Sequence, residues 1–144
     1  MSKYLIFFFL LTLIFAVFFF GISKKEKIVL HFQNYSFRVE VAQNSWQRAR
    51  GLMFKKQMKE NEGMLFVFSK PGLYNFWMKN VKFPLDLIWI DSEKKIVDLK
   101  LEQEPCLGDI CPAIKPRAKA QYVLELKGGM ATKAGMSLGS LLQF

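Results

Sequence analysis

Two acidic residues, Asp86 and Glu125, lie inside short apolar stretches where charged side chains are uncommon. Alternation along a strand places Asp86 on the face that carries Ile88 and Ile90. It places Glu125 on the face of Val123. Two carboxyl groups about 5–9 Å apart in an open cleft are a pattern for acid/base chemistry in hydrolysis or group transfer. A buried carboxylate can also hold loop geometry through an ion pair, so both interpretations stay open.

A carboxylate on an apolar face needs a cation or several hydrogen bonds. Arg48, Lys79 and Asn80 are the candidates, and we expect Arg48 or Lys79 to pair with Asp86. Trp77 lies in an aromatic run just before Lys79 and Asn80, and such a run suits the wall of a ligand pocket. The predicted polar cluster, with a ligand-binding or structural role, comprises Arg48, Trp77, Lys79, Asn80, Asp86 and Glu125.

Two cysteines, Cys106 and Cys111, lie in a proline-rich stretch with four residues between them. In the cytosol such a pair would be free thiols or part of a metal site, whereas outside the cytosol it would form a small structural disulfide. The apolar N-terminal segment favours the disulfide. His31 is the only histidine, so the ligands of a zinc site are lacking. We therefore expect no metal and no cofactor.

Residues 135–139 read Gly-Met-Ser-Leu-Gly, which matches the nucleophile-elbow pattern G-x-S-x-G. An elbow of this kind needs an acid and a histidine later in the chain, and the five residues after Gly139 contain neither. We interpret the match as a coincidence in a turn of small residues. His31 lies on the polar side of a predicted hairpin, where we expect it to be solvated.

The elements that position these residues begin after an uncharged run of 19 residues, Tyr4–Ile22. This run is close to the ~20 residues needed to cross a bilayer and longer than the roughly 7–15 residues of a signal-peptide core. We predict a single-pass helix that contacts the lipid bilayer through residues 4–22 and holds the protein at the cell membrane, with a cleaved signal as the alternative. Residues 1–27 would form this anchor and its linker.

The orientation signals conflict. Lys24, Lys25 and Lys27 follow the apolar run, and only Lys3 precedes it, so the positive-inside rule favours a cytoplasmic domain. The cysteine pair favours an extracytoplasmic domain, which is the orientation we expect.

Residues 28–144 form one predicted globular domain of short strands. A helix is predicted after Asn44 or Ser45 and another near Ala131–Ala134, with turns between the strands and a clear turn at Pro71-Gly72. The pattern predicts a mainly β (α+β) fold, as a compact antiparallel barrel or sandwich with one or two short helices, preceded by the transmembrane helix. The predicted strands cover residues 28–32, 37–41, 64–68, 74–78, 85–90, 96–101, 121–127 and 141–144.

The formal net charge is +9. Basic residues are scattered among acidic ones, and no nucleic-acid motif accompanies them. We interpret the charge as a solvated surface and expect no nucleic-acid partner.

Several motifs in a fixed order resemble the domain of unknown function 192 family over roughly residues 37–144. The resemblance implies a compact, mainly β domain, often behind a signal or anchor, and no established activity. The family's recurrent polar positions match Arg48, Lys79, Asn80, Asp86 and Glu125 here. Gln47, Val81 and Ser140 depart from the usual Glu, Thr and Asp. The matching segments are 47–53, 63–68, 76–80, 84–86, 90–91 and 122–126.

These observations favour a membrane-anchored, extracytoplasmic and non-catalytic binding or accessory module. Its partner would be an unknown small molecule or a membrane protein. The alternative is a hydrolase or transferase that uses Asp86 and Glu125 as an acid/base pair.

Overall fold

A computed structural model describes residues 26–144 of the chain. The predicted transmembrane segment, residues 4–22, lies outside the described residues. Within residues 26–144, no helix combines the length and the apolar character needed to span a bilayer.

The described chain forms six strands and two short helices, so the mainly β prediction is confirmed. Asn44 caps the first helix as predicted, since its side chain accepts a hydrogen bond from the Gln47 amide at 2.8 Å. The elements are β1 (Lys27–Phe32), β2 (Tyr35–Ala42), α1 (Ser45–Arg50), β3 (Glu62–Gly72), β4 (Leu85–Ile90), β5 (Ile96–Gln103), β6 (Ala120–Lys127) and α2 (Met130–Ala134).

The six strands form one sheet in the order β1-β2-β3-β6-β4-β5. β2 and β3 run parallel, and every other neighbouring pair is antiparallel. The prediction of an antiparallel barrel or sandwich is therefore wrong, because the sheet is single, mixed and open. The parallel pair requires a crossover connection, and residues 43–61, which contain α1, provide it.

Three predicted elements, two strands and one turn, are absent from the structure. Residues 74–78 do not form a strand, and only Phe76 makes an isolated bridge, to Ile114. Pro71 and Gly72 end β3 instead of forming a turn, after an irregularity in its pairing with β6. Residues 141–144 pair only through isolated bridges at Leu141 and Gln143. These segments carry apolar residues because they cover the sheet, and not because they extend it.

Both faces of the sheet are buried under apolar side chains. One cluster contains Phe37, Ile88 and Leu124 and packs against α2. The other contains Phe66, Trp89 and Val123 and packs with buried residues of the crossover and of the segment that follows β3. Burial on two sides explains why β4 is almost entirely apolar, since all six of its residues are buried.

A short segment after α2 joins the two edges of the sheet. We call residues 139–143 the edge-bridging segment. At the β1 edge, the His31 amide donates to the Gln143 carbonyl at 2.9 Å, and the Gln143 amide donates back at 3.1 Å. At the β5 edge, the Ile96 amide donates to the Ser140 carbonyl at 2.9 Å.

The proline-rich stretch between β5 and β6 is a loop, as predicted, and contains the cysteine pair. Cys106 and Cys111 have Cα atoms 5.8 Å apart and are joined as a disulfide. This separation lies in the usual range for disulfides, so the predicted pairing is confirmed.

Candidate functional site

Asp86 is fully buried and is held by backbone amides. Its Oδ1 accepts hydrogen bonds from the Glu102 amide at 2.8 Å and the Gly129 amide at 3.1 Å. Its Oδ2 accepts one from Ala131, in the first turn of α2, at 2.8 Å. Asp86 thereby ties β4 to the end of β5 and to α2.

The predicted ion pair between Asp86 and Arg48 or Lys79 is wrong. Among residues 26–144, no lysine or arginine pairs with Asp86. Three N–H donors satisfy a buried carboxylate as a cation would. Their source is the backbone of β5 and of the turn into α2, which a side-chain pattern does not reveal.

Asp86 and Glu125 lie on opposite faces of the sheet. In the pairing of β4 with β6, Asp86 stands opposite Leu126, and Leu87 stands opposite Glu125. Because facing residues share a side and successive residues alternate, the sheet separates the two carboxyl groups. The acid/base pair of the alternative hypothesis is therefore not assembled.

Glu125 occupies the centre of the sheet, on the strand between β3 and β4. Its side chain is only 4% exposed, and Oε2 has no hydrogen-bond partner. Burial raises the pKa of the Glu125 carboxyl to about 8. An unpartnered buried carboxyl oxygen of this kind is uncommon in folded proteins, and it requires an explanation.

Glu125 lines a small cavity of about 30 Å³ between the sheet and α1. The walls include Arg48, Arg50, Trp77 and Phe66. A cavity of this size has room for a water-sized polar group. Three of the predicted site residues, Arg48, Trp77 and Glu125, therefore come together here.

A larger cleft of about 450 Å³ lies next to this cavity, and the two share several wall residues, including Phe66, Phe76 and Trp77. Its lining is mainly aromatic, with half-exposed Trp77 at 50%. The residues around the cleft are Arg48, Ala49, Phe66, Phe68, Tyr74, Asn75, Phe76, Trp77 and Ala113.

The aromatic walls of the cleft are held by ring contacts and by Trp89. Phe66 and Phe76 meet edge to face at 4.8 Å between ring centroids. Phe68 and Tyr74 stack at 3.5 Å. The buried Trp89 indole donates to the Tyr74 carbonyl at 2.9 Å. Residues 74–77, which form no strand, are thus fixed as a wall.

Arg48 fixes α1 against β3 at the mouth of this cleft. Its Nη1 donates to the Gln43 carbonyl at 2.7 Å and to the Val67 carbonyl at 3.1 Å. Its guanidinium also lies 5.3 Å from the centroid of the Phe68 ring. Arg48 is therefore already hydrogen-bonded to backbone, and it shapes the site instead of pairing with Glu125.

Gly51 and Gln47 let α1 approach the sheet. Gly51 ends α1 with a φ of 48°, and a Cβ at this position would lie 3.3 Å from the Phe66 ring. The Gln47 side chain accepts hydrogen bonds from the amides of Gln43 and Asn44 at 3.0 and 3.2 Å. An amide oxygen completes this cap, so the glutamate usual in the family is not needed.

Lys79 and Asn80, the remaining residues of the predicted polar cluster, line neither the cavity nor the cleft. Asn80 adopts a left-handed φ of 57°, which asparagine tolerates, and its carbonyl accepts a hydrogen bond from Phe54 at 2.9 Å. Lys79 forms an isolated bridge with Cys106, next to the disulfide loop. His31 is exposed and lies 3.0 Å from the Ser36 hydroxyl, so the solvated interpretation is confirmed.

The aromatic residues other than Trp77 were absent from the predicted site. The spacing of Phe66 and Phe68 places both on one face of β3, and Tyr74, Phe76 and Trp77 follow within a few residues. This density of aromatic side chains was the available signal. It was not decisive, because aromatic residues at strand spacing are usually core.

The arrangement provides an apolar cleft and, sharing walls with it, a small cavity lined by one buried carboxyl group with an unsatisfied oxygen. Such a site can hold an apolar or aromatic body and can accept a hydrogen bond from one polar tip. Among the described residues that line the cavity and the cleft, Glu125 carries the only carboxyl group, so the site does not assemble an acid/base pair of carboxyl groups.

The chain is 27% identical over 112 residues to the UPF0127 protein of Thermococcus kodakarensis, which covers 74% of this chain and 64% of that relative. The chain thus spans less than two thirds of that relative's length.

Two crystal structures share the fold. A protein of unknown function from Novosphingobium aromaticivorans has a TM-score of 0.77 at 26% identity, covering 86% of this chain and 89% of that one. A proposed transcription regulator from Sinorhizobium meliloti has a TM-score of 0.73 at 34% identity, covering 83% and 92%.

The model of the DUF192 family, which comprises uncharacterised proteins, matches residues 28–144. This match covers nearly all of the described residues and agrees with the motifs quoted from the sequence. The chain belongs to the DUF192 family.

Proposed function

We propose that this protein is a membrane-anchored, extracytoplasmic binding module that holds a small molecule in its aromatic cleft without transforming it. One observation carries the proposal. The buried Glu125 oxygen has no partner, and it lines a cavity that shares walls with the cleft. A bound molecule with a polar tip would satisfy this oxygen and cover the aromatic walls.

The geometry favours binding over catalysis. Acid/base hydrolysis uses two carboxyl groups that flank the reacting bond, and here the sheet separates Asp86 from Glu125. Asp86 is also fully occupied by backbone amides.

Two observations support the location. A disulfide between Cys106 and Cys111 is typical of oxidising compartments outside the cytosol. The uncharged run Tyr4–Ile22 has the length of a membrane-spanning helix. A carbonate wash of membranes tests the anchor: the full chain should stay in the pellet, and a version lacking residues 1–25 should be released. Full-length, unprocessed protein in the soluble fraction would contradict the anchor.

Fragment binding tests the cleft. Full-length protein in maltoside micelles is screened against aromatic fragments by saturation-transfer NMR, with empty micelles as the blank. Trp77→Ala should weaken the binding of hits about fivefold or more, because Trp77 is part of the cleft wall.

Trp46→Ala is the matched control. Trp46 is also an exposed tryptophan, at 64%, but it does not line the cleft. If no hit distinguishes Trp77→Ala from Trp46→Ala, the cleft is not the binding site and the proposal fails.

A further inference from the structure

We propose that the cleft selects a primary ammonium compound, whose apolar or aromatic body lies in the cleft and whose N–H donates to Oε2 of Glu125. This inference rests on the proposed binding function and deepens it by naming the class of ligand. It follows from three features of the site: an acceptor oxygen without a donor, a carboxyl group without a basic side chain as ion-pair partner, and aromatic walls.

The acceptor is the first feature. Glu125 Oε2 is buried without a hydrogen-bond donor, at a cavity that admits a water-sized group. An ammonium group is close to water in size and carries up to three N–H donors. It can therefore fill the cavity and satisfy the oxygen at once.

The lack of a basic ion-pair partner is the second feature. Among residues 26–144, no lysine, arginine or histidine forms an ion pair with Glu125. Its structural counterpart Asp86 has three N–H donors from the backbone, and Glu125 lacks an equivalent set at Oε2. A cationic ligand would supply the positive charge that compensates a Glu125 carboxylate, which no basic side chain of the described residues does.

The walls are the third feature. Phe66, Phe76 and Trp77 line both the cavity and the cleft, and the faces of aromatic rings attract cations. The same rings would pack against an apolar body.

Arg48 and Arg50 are the other charged residues that line the cavity. Both are turned to partners of their own: Arg48 donates to two backbone carbonyls, and the Arg50 guanidinium lies 5.4 Å from the Trp46 ring centroid. The neighbours that face Glu125 from β3 and β4, Met64 and Leu87, are uncharged.

Binding of an ammonium group also moves a proton. Because burial raises the pKa of Glu125 to about 8, the empty site holds a neutral carboxylic acid at pH 6–7. The carboxylic acid and the ammonium ion then form a carboxylate–ammonium pair and release one proton to solvent. The apparent affinity should rise roughly tenfold per pH unit up to pH 8 and fall again above the pKa of the amine, about 10.

Three probes with one body separate the alternatives. 2-Phenylethylamine carries both charge and N–H, 2-phenylethanol carries a neutral donor, and phenethyltrimethylammonium carries charge without N–H. Their affinities for full-length protein in maltoside micelles are measured by titration calorimetry at pH 6, 7 and 8, with empty micelles subtracted.

We expect the primary amine to bind at least tenfold more tightly than either analogue at pH 8, and to weaken by about tenfold from pH 7 to pH 6. Glu125→Gln should reduce amine binding at least tenfold while changing alcohol binding less than threefold. Glu93→Gln, which removes an exposed carboxylate, should change neither.

Equal binding of the amine and the alcohol at pH 8, equal binding of the amine and the quaternary analogue at pH 8, a flat pH profile for the amine, or no binding of any probe would each overturn the inference. If the amine and the alcohol bind equally and Trp77→Ala weakens both, the cleft function stands and only the ammonium selectivity fails. If Trp77→Ala weakens neither, the cleft function fails as well. Should Glu125→Gln not fold, as judged by circular dichroism, the probe ranking and the wild-type pH profile decide.

Discussion

Asp86 and Glu125 show that two buried carboxyl groups in one small domain can have opposite roles. Both oxygens of Asp86 accept hydrogen bonds from backbone amides, so its role in the fold is complete. Glu125 retains an oxygen without a partner, and the fold alone gives no reason for it. Hydrogen-bond satisfaction, more than burial, therefore separates the structural residue from the candidate site residue.

Replacing Asp86 by alanine should destabilise the domain by roughly 3–5 kcal/mol, because three amide donors would lose their acceptor in a buried place. Urea unfolding followed by tryptophan fluorescence measures the change. Asp91→Ala is the control, since Asp91 also accepts two backbone amides, both at 2.9 Å, but in an exposed turn. We expect about 1 kcal/mol there. A loss below 1 kcal/mol for Asp86→Ala would show that the amides find other acceptors.

Glu125 should make the stability of the domain depend on pH. Its pKa in the folded state is about 8, above the value of about 4.3 expected in the unfolded chain, so the folded state holds more protons between these limits. The free energy of unfolding is therefore highest on the acid side and falls as pH rises towards 8, by roughly 1–1.5 kcal/mol per pH unit.

Unfolding in urea at pH 5, 6, 7 and 8 measures this dependence. Glu125→Gln should remove most of the slope, because the amide does not titrate. Glu93→Gln should leave it unchanged. Parallel curves for wild type and Glu125→Gln would mean that the Glu125 carboxyl titrates normally in the folded protein.

For single residues, the sequence predicted which face of the sheet a side chain occupies better than it predicted its hydrogen-bond partners. Period-two alternation correctly placed Asp86 with Ile88 and Ile90, and Glu125 with Val123. The partners of Asp86 were not predictable, because they are amides of Glu102, Gly129 and Ala131, and side-chain types carry no record of where a backbone donor points.

Among the elements, the loop closed by the disulfide bears most directly on the proposed location. The loop between Cys106 and Cys111 is short, and both Leu107 and Ile110 within it are exposed. The bridge therefore ties a surface loop to Cys106, which packs against the core cluster of Phe66 and Trp89.

The double variant Cys106→Ser/Cys111→Ser should lower the stability by no more than about 2–3 kcal/mol, as the chain-entropy model gives for so short a loop. Urea unfolding of oxidised wild type and of the variant measures this difference. Intact mass spectrometry of protein prepared without reductant should show one disulfide. Two free thiols in that sample would contradict both the pairing and the oxidising location that it supports.

Six of the eight predicted strands are present, and the two that are absent share a cause. Residues 74–78 and 141–144 have apolar side chains at strand spacing, but in the structure they make only isolated bridges. Their apolar residues pack on the sheet from outside: Phe76 contacts Trp89, and Phe144 contacts Tyr122. Alternation of apolar and polar residues indicates that one side of an extended segment is buried. It does not indicate that the segment is hydrogen-bonded to a neighbouring strand.

The molecule as a whole is one open sheet with both faces covered. The sequence predicted the mainly β fold class, but not the single open sheet or the parallel pairing of β2 with β3. That pairing depends on the crossover through residues 43–61, which also brings Arg48 to the cleft. The predicted helix after Asn44 did not indicate a crossover, because the helices that connect parallel strands are usually longer than α1.

The edge-bridging segment has a consequence for how copies of this protein behave towards one another. An uncovered sheet edge is a template for strands of other molecules and promotes self-association. Residues 139–143 form backbone hydrogen bonds with His31 at one edge of the sheet. At the other edge they form backbone hydrogen bonds with Lys94 and Ile96.

Loosening this segment should therefore turn a monodisperse domain into one that aggregates with rising concentration. Leu142 is buried and Leu141, its neighbour, is exposed, so Leu142→Asp should detach the segment while Leu141→Asp should not. Light scattering over a concentration series compares the two variants, and equal scattering from both would mean that the edges are protected by something other than this segment.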